Sequence, residues 1–412
     1  MIGIPISYSL VLGSLIPLII LTNINLVAIA QKLFVGVDLF AFMAIPLFIF
    51  CGGLLEKSGV SRRLCAFVNS LVGWLPGGVA IVTFVTCMFF GAISGSATAT
   101  VLAIGSIMVP IMIDQKYDEK FALAVIAVGG VLGSIIPPSI PMVVYGMNAG
   151  VDIGTLFLGG IGPGGLLTVL FAIYAYLHGK KHPTTHTPFV PKTALKTFFS
   201  AIWGLLMPLI ILGGIYGGIF TPTEAAAVAS VYGMIVGFLI YRELNLKNFY
   251  QCLKDSVVSS AMIMFIVAAA TAFSYVLTRE QIPNQLAVML TSVTDSHAVF
   301  MMIVIVILLV MGCFMETCAS ILIVTPMVLP ICQALDVNMV AFGVMMVVTL
   351  AIGFVSPPFG LNLYVAARLR QKSVDVVINK HLGILIGIAI ALVLIITFVP
   401  QVVMFIPDLL MN

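Results

Sequence analysis

The chain is 412 residues long, 61% hydrophobic and only 8% charged, with a mean hydropathy of +1.23. So little charge cannot cover a water-facing surface, which places the protein in a lipid bilayer. The formal net charge of +3 is dispersed over short connections and leaves no footprint for a nucleic acid.

Uncharged runs such as 64–113, 121–151, 197–223 and 337–367 predict about ten to twelve helical spans, since one span needs roughly 20 apolar residues. Alternating strand patterns are absent, which excludes an outer-membrane barrel. In chain order, the stretch from Pro5 to Ala30 reads as a retained helix rather than a cleaved signal, and Asp38 to Leu55 as a second. Ser61 to Leu71 follows as an amphipathic interfacial helix. Residues 77–113 are too long for one span, and their centre is rich in Gly, Ser and Thr. Irregular backbone at membrane depth is tolerated only where protein encloses it, so a re-entrant hairpin is expected, its tip near Gly91–Thr98.

After the loop Asp114–Lys120, a helix must break at Gly133–Pro141, where Pro137, Pro138 and Pro141 cannot continue it. Thr155 to Leu177 is a further span. The linker 179–196 is basic, which suggests the cytoplasmic side. Thr221-Pro222-Thr223-Glu224 has the form of a capping box opening a helix to Tyr241. Leu246–Lys254 reads as a short interfacial helix and Ser256–Leu277 as a span. Residues 298–335 repeat the hairpin, 339–356 repeat the broken helix, and 382–407 close the chain.

The repetition is literal. Gly133-Ser134-Ile135-Ile136-Pro137-Pro138 returns as Gly353-Phe354-Val355-Ser356-Pro357-Pro358, and Pro110 returns as Pro330. The fold expected is an all-α polytopic membrane protein of two repeats, inverted if an odd number of crossings separates them. Paired broken segments point to the binding site of a secondary transporter: free carbonyls can hold Na⁺, and half-helix N-termini attract an anion. The expected Na⁺ positions are Ser94, Gly95, Gly133, Ser134 and Pro137 in the first copy. In the second they are Met315, Thr317, Gly353, Ser356 and Pro357. Substrate would meet Ser94, Ser96, Thr98, Asn148, Glu316, Thr317, Asn362 and Arg368 between them. Two readings compete for Glu316: an intramembrane functional carboxylate, or a cap on the second half-helix of its hairpin. Arg368 is either a substrate partner or an interfacial arginine; Asn148, Asn362, Tyr145 and Tyr364 either contact substrate or make helix–helix hydrogen bonds.

Other motifs carry less. The seven cysteines lack CxxC spacing and read as packed thiols. His178, His182 and His186 fall in the basic linker region, where Pro183 stops a metal-binding helical face. The glycines of 159–165 lack the strand and the Lys-Ser/Thr of a nucleotide loop and read as a membrane turn. With no nucleotide site, transport would draw on an ion gradient. No Gly-x-Ser-x-Gly, paired-Asp or His-Glu-x-x-His pattern suggests an intramembrane enzyme, so no catalytic residues are assigned.

Gly91-Ala92-Ile93-Ser94-Gly95-Ser96-Ala97-Thr98-Ala99-Thr100, Gly133–Pro138, Thr221–Ala226, and Thr325-Pro326 with Pro330 resemble the large membrane subunit of tripartite ATP-independent periplasmic (TRAP) transporters. The likeness spans essentially the whole chain and departs at the N-terminus, where family members carry more residues before the first Gly-x-Pro. It implies Na⁺-coupled import of an organic acid, of sialic acid or C4-dicarboxylate type, with two or more Na⁺ transported across a bacterial inner membrane. It implies two partners, a small four-helix membrane subunit and a periplasmic substrate-binding protein. It also implies an elevator: 77–150 and 298–370 would move against a scaffold of 1–76 and 151–297, with 371–412 as a C-terminal segment. The alternatives are an ion/H⁺ antiporter, or an anion symporter without a binding protein, of similar architecture.

Overall fold

The computed structural model describes residues 6–21, 27–182, 188–283, 285 and 296–411. Among these the chain is helical with no strands, and nine helices are long and apolar enough to cross a membrane. The bent pair Glu119–Ile135 and Ile140–Ala149, kinked by 40°, is together long and apolar enough to cross as well. The first apolar stretch is two helices, α1 (Ile6–Leu21) and α2 (Val27–Val35). Then come α3 (Ala44–Lys57) and α4 (Val60–Val72). The amphipathic α4 turns Val60, Leu64, Cys65 and Val68 inward. Arg62 and Arg63 on its outer side both pair with Glu243, at 2.6 Å.

The first hairpin is α5 (Gly78–Ser94) and α6 (Ala97–Asp114). The first broken helix is α7 (Glu119–Gly129), the single turn α8 (Leu132–Ile135) and α9 (Ile140–Ala149). Then follow α10 (Ile153–Lys181), α11 (Pro191–Tyr216), α12 (Pro222–Ile235) and α13 (Leu246–Arg279). The second hairpin is α14 (His297–Phe314) and α15 (Thr317–Ala334), and the second broken helix α16 (Met339–Gly353) and α17 (Leu361–Arg368). The short α18 (Val374–Val377), α19 (Lys380–Phe398) and α20 (Gln401–Met411) end the chain.

A hairpin returns to the face it left. The crossings between the two hairpins among the described residues are therefore the first broken helix, α10, α11, α12 and α13, an odd number. The two copies are inverted. At the centre lie α7 and α16, in which Phe121–Gly129 and Ala341–Gly353 are buried throughout. These two are enclosed by protein on every side rather than by lipid, and the rest of the molecule is arranged around them.

Several expectations change. Leu246–Lys254 and Ser256–Leu277 are one continuous 34-residue helix, α13, about 50 Å long at 1.5 Å per residue. The linker is shorter than its composition suggests, because α10 runs on to Lys181 and α11 begins at Pro191. His178 is thus helical, its ring stacked 3.9 Å from that of Phe121, while Pro183 and His186 lie outside the described residues. The final segment divides before Pro400 into α19 and α20. The glycines of 159–165 are not a turn but the middle of α10. A Cβ on Gly159 would lie 3.0 Å from Val403 of α20, and one on Gly160 would lie 2.7 Å from the Ile135 carbonyl. Small residues inside a membrane mark close helix approach, and here they bring α10 against both partners. The capping box at Thr221 forms as expected: its N–H donates to Glu224 Oε2 at 2.8 Å, and Glu224 N–H to Thr221 Oγ1 at 3.3 Å.

Candidate functional site

The first hairpin tip is shaped by its own polar residues. Gly95 stands at φ +61°, a left-handed conformation that glycine adopts without strain, and turns the chain after Ser94. Ser96 then caps α6, its hydroxyl accepting from Ala99 N–H at 3.5 Å. Thr100 Oγ1 donates to the Ser96 carbonyl at 2.8 Å and lies 3.2 Å from Ser94 Oγ. Opposite the tip, α8 ends at Ile135, and Pro137-Pro138 is a bend with a cis bond. Ser139 caps α9 by accepting from Met142 N–H at 3.4 Å, and its own hydroxyl donates to the Ser134 carbonyl.

The second copy has the same plan with different chemistry. Met315 is extended where Gly95 was left-handed, and Glu316 caps α15 by accepting from Ala319 N–H at 3.1 Å. Its break spans 354–360: the Phe354 carbonyl accepts from Asn362 N–H at 3.0 Å, and Ser356 Oγ donates to the Ile352 carbonyl at 2.9 Å. The Pro357-Pro358 bond is also cis.

Each tip is joined to its break by a pair of glycines. A Cβ on Gly91 would lie 2.8 Å from Gly133 Cα, and one on Gly312 would lie 2.9 Å from Gly353 Cα. Neither residue of either pair leaves space for a side chain.

The two copies meet at a cavity of about 100 Å³. Its lining includes Ser96, Ala97 and Thr98 at the start of α6, Ile140 and Pro141 at the start of α9, Glu316, Thr317 and Cys318 at the start of α15, and Leu361 at the start of α17. Four helix N-termini therefore converge on one small space. Each carries a partial positive charge, and the four together favour an anion. Glu316 supplies a carboxylate to one of the four; Ser96, its counterpart, is neutral.

Of the residues expected from sequence, Gly95, Ser96, Thr98, Ser134, Glu316 and Thr317 line this cavity. Ser94 lies buried beneath the first tip, Gly133 packs on Gly91, and Pro137 sits in the first break. Met315, Gly353, Ser356 and Pro357 form the second tip and break without lining the cavity. Glu316 is a cap and a lining residue at once, which joins its two readings.

Three residues stand elsewhere. Arg368 is exposed in the last turn of α17, two residues before Arg370, whose Nε pairs with Glu119 at 3.1 Å. Asn148 lies near the end of α9 with its Nδ2 buried and unpartnered. Asn362 is fully buried, and its Nδ2 donates to the Ala127 carbonyl at 3.3 Å. That carbonyl is free because Val131 N–H, which would reach it in a continuing helix, bonds Val128 instead, at 3.0 Å. Tyr145 makes the reciprocal contact, donating from α9 to the Met339 carbonyl of α16 at 2.8 Å, its ring packed on Gly343. Tyr364 is exposed.

The sequence reading missed Ile263, a lining residue from the middle of α13, and the apolar Ile140 and Leu361. No local motif marks any of the three. Among the described residues no group of three His, Cys, Asp or Glu could hold a metal ion.

Residues 1–402 match the DctM component family of the tripartite ATP-independent periplasmic transporters. The chain is 44% identical over 98% of its length to the isethionate TRAP transporter permease protein DctMQ of Oleidesulfovibrio alaskensis, of which it spans 64%. It is 40% identical, over 100% of its own length and 95% of the relative's, to the C4-dicarboxylate TRAP transporter large permease protein DctM of Vibrio cholerae. Identity to the sialic acid TRAP transporter large permease protein SiaM of the same organism is 34%, covering 100% of this chain and 96% of that one. The crystal structure of the Alcanivorax borkumensis YdaH transporter, which has an unusual topology, shares the fold at 16% identity. Its TM-score is 0.63, covering 92% of this chain and 90% of that one.

Proposed function

Since the chain belongs to the DctM family of TRAP transporters, a large permease subunit of the bacterial inner membrane, we propose that it is a secondary importer of a small organic anion driven by Na⁺. The carrying observation is the convergence of four helix N-termini on one cavity. A substrate carboxylate or sulfonate would replace its hydration with the N–H groups of α6, α9 and α17 and the hydroxyls of Ser96, Thr98 and Ser134. Na⁺ would sit behind the tips, between Ser94, Gly95 and Gly133 in one copy and Met315, Gly353 and Ser356 in the other, where interrupted helices leave carbonyls available.

Contacts support an orientation. Phe121, His178 and His381 pack together, so α7 and α19 begin, and α10 ends, on one face. Arg370, Lys372 and Lys380 gather there with the linker lysines, and the positive-inside rule makes that face cytoplasmic. The hairpins and broken helices would travel as one body against α3, α4 and α11–α13. A periplasmic binding protein would deliver substrate, and a small membrane subunit would brace the scaffold, as the family's tripartite name implies.

The test is uptake into proteoliposomes containing this chain and its small subunit. Accumulation of isethionate, succinate or sialic acid should require both an inward Na⁺ gradient and the binding protein. Equal uptake without Na⁺ removes the coupling, and equal uptake without binding protein removes the tripartite reading.

A further inference from the structure

The cavity is small for a transported metabolite. Its volume of about 100 Å³ falls well below the roughly 300–1,000 Å³ of pockets that enclose drug-sized ligands. The elements that carry its lining are held together by backbone contact. Each tip touches its break through paired glycines, and a Cβ on Gly95 would lie 2.6 Å from the Pro138 carbonyl.

The lining divides by chemistry. Ser96, Thr98, Ser134 and Thr317 supply hydroxyls, while Ile140, Ile263, Phe354 and Leu361 supply apolar surface. Of the apolar four, Ile140, Phe354 and Leu361 belong to the broken helices, where trimming them would disturb the N-termini that attract the anion. Ile263 belongs to neither a hairpin nor a broken helix: it projects from the unbroken α13, and is half-buried there. It is the lining residue that can be shortened without touching the anion cage.

We propose that the site admits only short organic anions, and that Ile263 sets this upper limit as a specificity-determining residue. The inference rests on the reading of the cavity as an anion site. A short hydroxysulfonate or C4 acid places its charged group among the N-termini and its methylenes against Ile263. A longer chain or a sugar ring meets the isoleucine and α13 behind it. Ile263→Ala removes that stop, and relief of one methylene of overlap is worth on the order of 10- to 200-fold in discrimination.

The experiment is thermal-shift titration of the purified full-length chain in saturating NaCl with isethionate, succinate, the six-carbon diacid adipate, and sialic acid. A ligand that binds only the folded state raises its midpoint in proportion to occupancy. Isethionate or succinate should shift the wild type, adipate and sialic acid should not, and Ile263→Ala should bind adipate at least about tenfold more tightly than wild type does. A gained ligand cannot come from misfolding. If the wild type binds adipate or sialic acid as well as the short acids, or if Ile263→Ala leaves the cut-off in place, the size limit is overturned while the anion site stands. If none of the four acids shifts the wild type, the anion site fails, and the size limit with it.

Discussion

At the scale of single residues, Glu316 and the glycine pairs carry the most weight. Glu316 spends one carboxylate oxygen on Ala319 N–H and still lines the cavity. Gln at this position keeps the capping oxygen and loses the charge, whereas Ala loses both. Glu316→Ala should therefore destabilise by about 0.5–2 kcal/mol, the usual cost of an N-cap, and Glu316→Gln by much less. Loss of the carboxylate also removes an anion beside the Na⁺ position proposed at Met315, so uptake at limiting Na⁺ should fall about tenfold or more in both. Full uptake by Glu316→Gln would reduce the residue to a cap. Gly91→Ala and Gly353→Ala each drive a methyl into backbone across the tip–break contact. Overpacking of this kind costs about 1–3 kcal/mol, read as a lower thermal midpoint; an unchanged midpoint would mean that the tip and break are free to separate.

At the scale of elements, the two broken helices complete one another. Asn362 on the second half of one reaches the first half of the other, and Tyr145 does the same in reverse. Tyr145→Phe removes only the hydroxyl and should cost about 0.5–1.5 kcal/mol. Asn362→Ala leaves the Ala127 carbonyl buried without a donor, and should cost about 1–3 kcal/mol. Hydrogen exchange at residues 130–136 should rise in Asn362→Ala although the substitution lies in the other repeat. Exchange confined to residues 354–362 would count against this linkage. The breaks themselves were legible in the sequence, because proline and glycine punctuate locally and did so twice. Their partnership was not: Asn362 and Ala127 stand 235 residues apart, and a hydrogen bond between distant segments leaves no periodic trace. The run 159–165 misled for a related reason. Gly-rich sequence signals a turn in water, but inside a bilayer it signals helices drawn close together. Ile263 had no signal at all, being one apolar residue among many on a long helix.

At the scale of the whole molecule, the proposed elevator makes a geometric demand. The hairpins and broken helices must slide past α3 and α13. A close approach lies at the first tip, where a Cβ on Gly52 of α3 would be 3.5 Å from Ser94 Cβ. That spacing falls within the range of about 3.5–4.5 Å that a disulfide requires. In a Cys51→Ala background, the pair Gly52→Cys and Ser94→Cys should oxidise, and oxidation should abolish uptake that a reductant restores. Uptake that persists after complete cross-linking would mean that the tip does not move against α3, and the elevator would have to be abandoned.

The crossed bonds of Asn362 and Tyr145 also bear on how the chain is made. Synthesis delivers the first repeat to the membrane while the second is still unmade, so the Ala127 carbonyl enters the bilayer without the amide that later satisfies it. Tyr145 likewise waits for Met339. The first half must therefore be held by the insertion machinery or by water until the second arrives, and neither half is a complete protein. A chain cut between Lys181 and Pro191 should leave each fragment short-lived when expressed alone, and both should persist when they are expressed together.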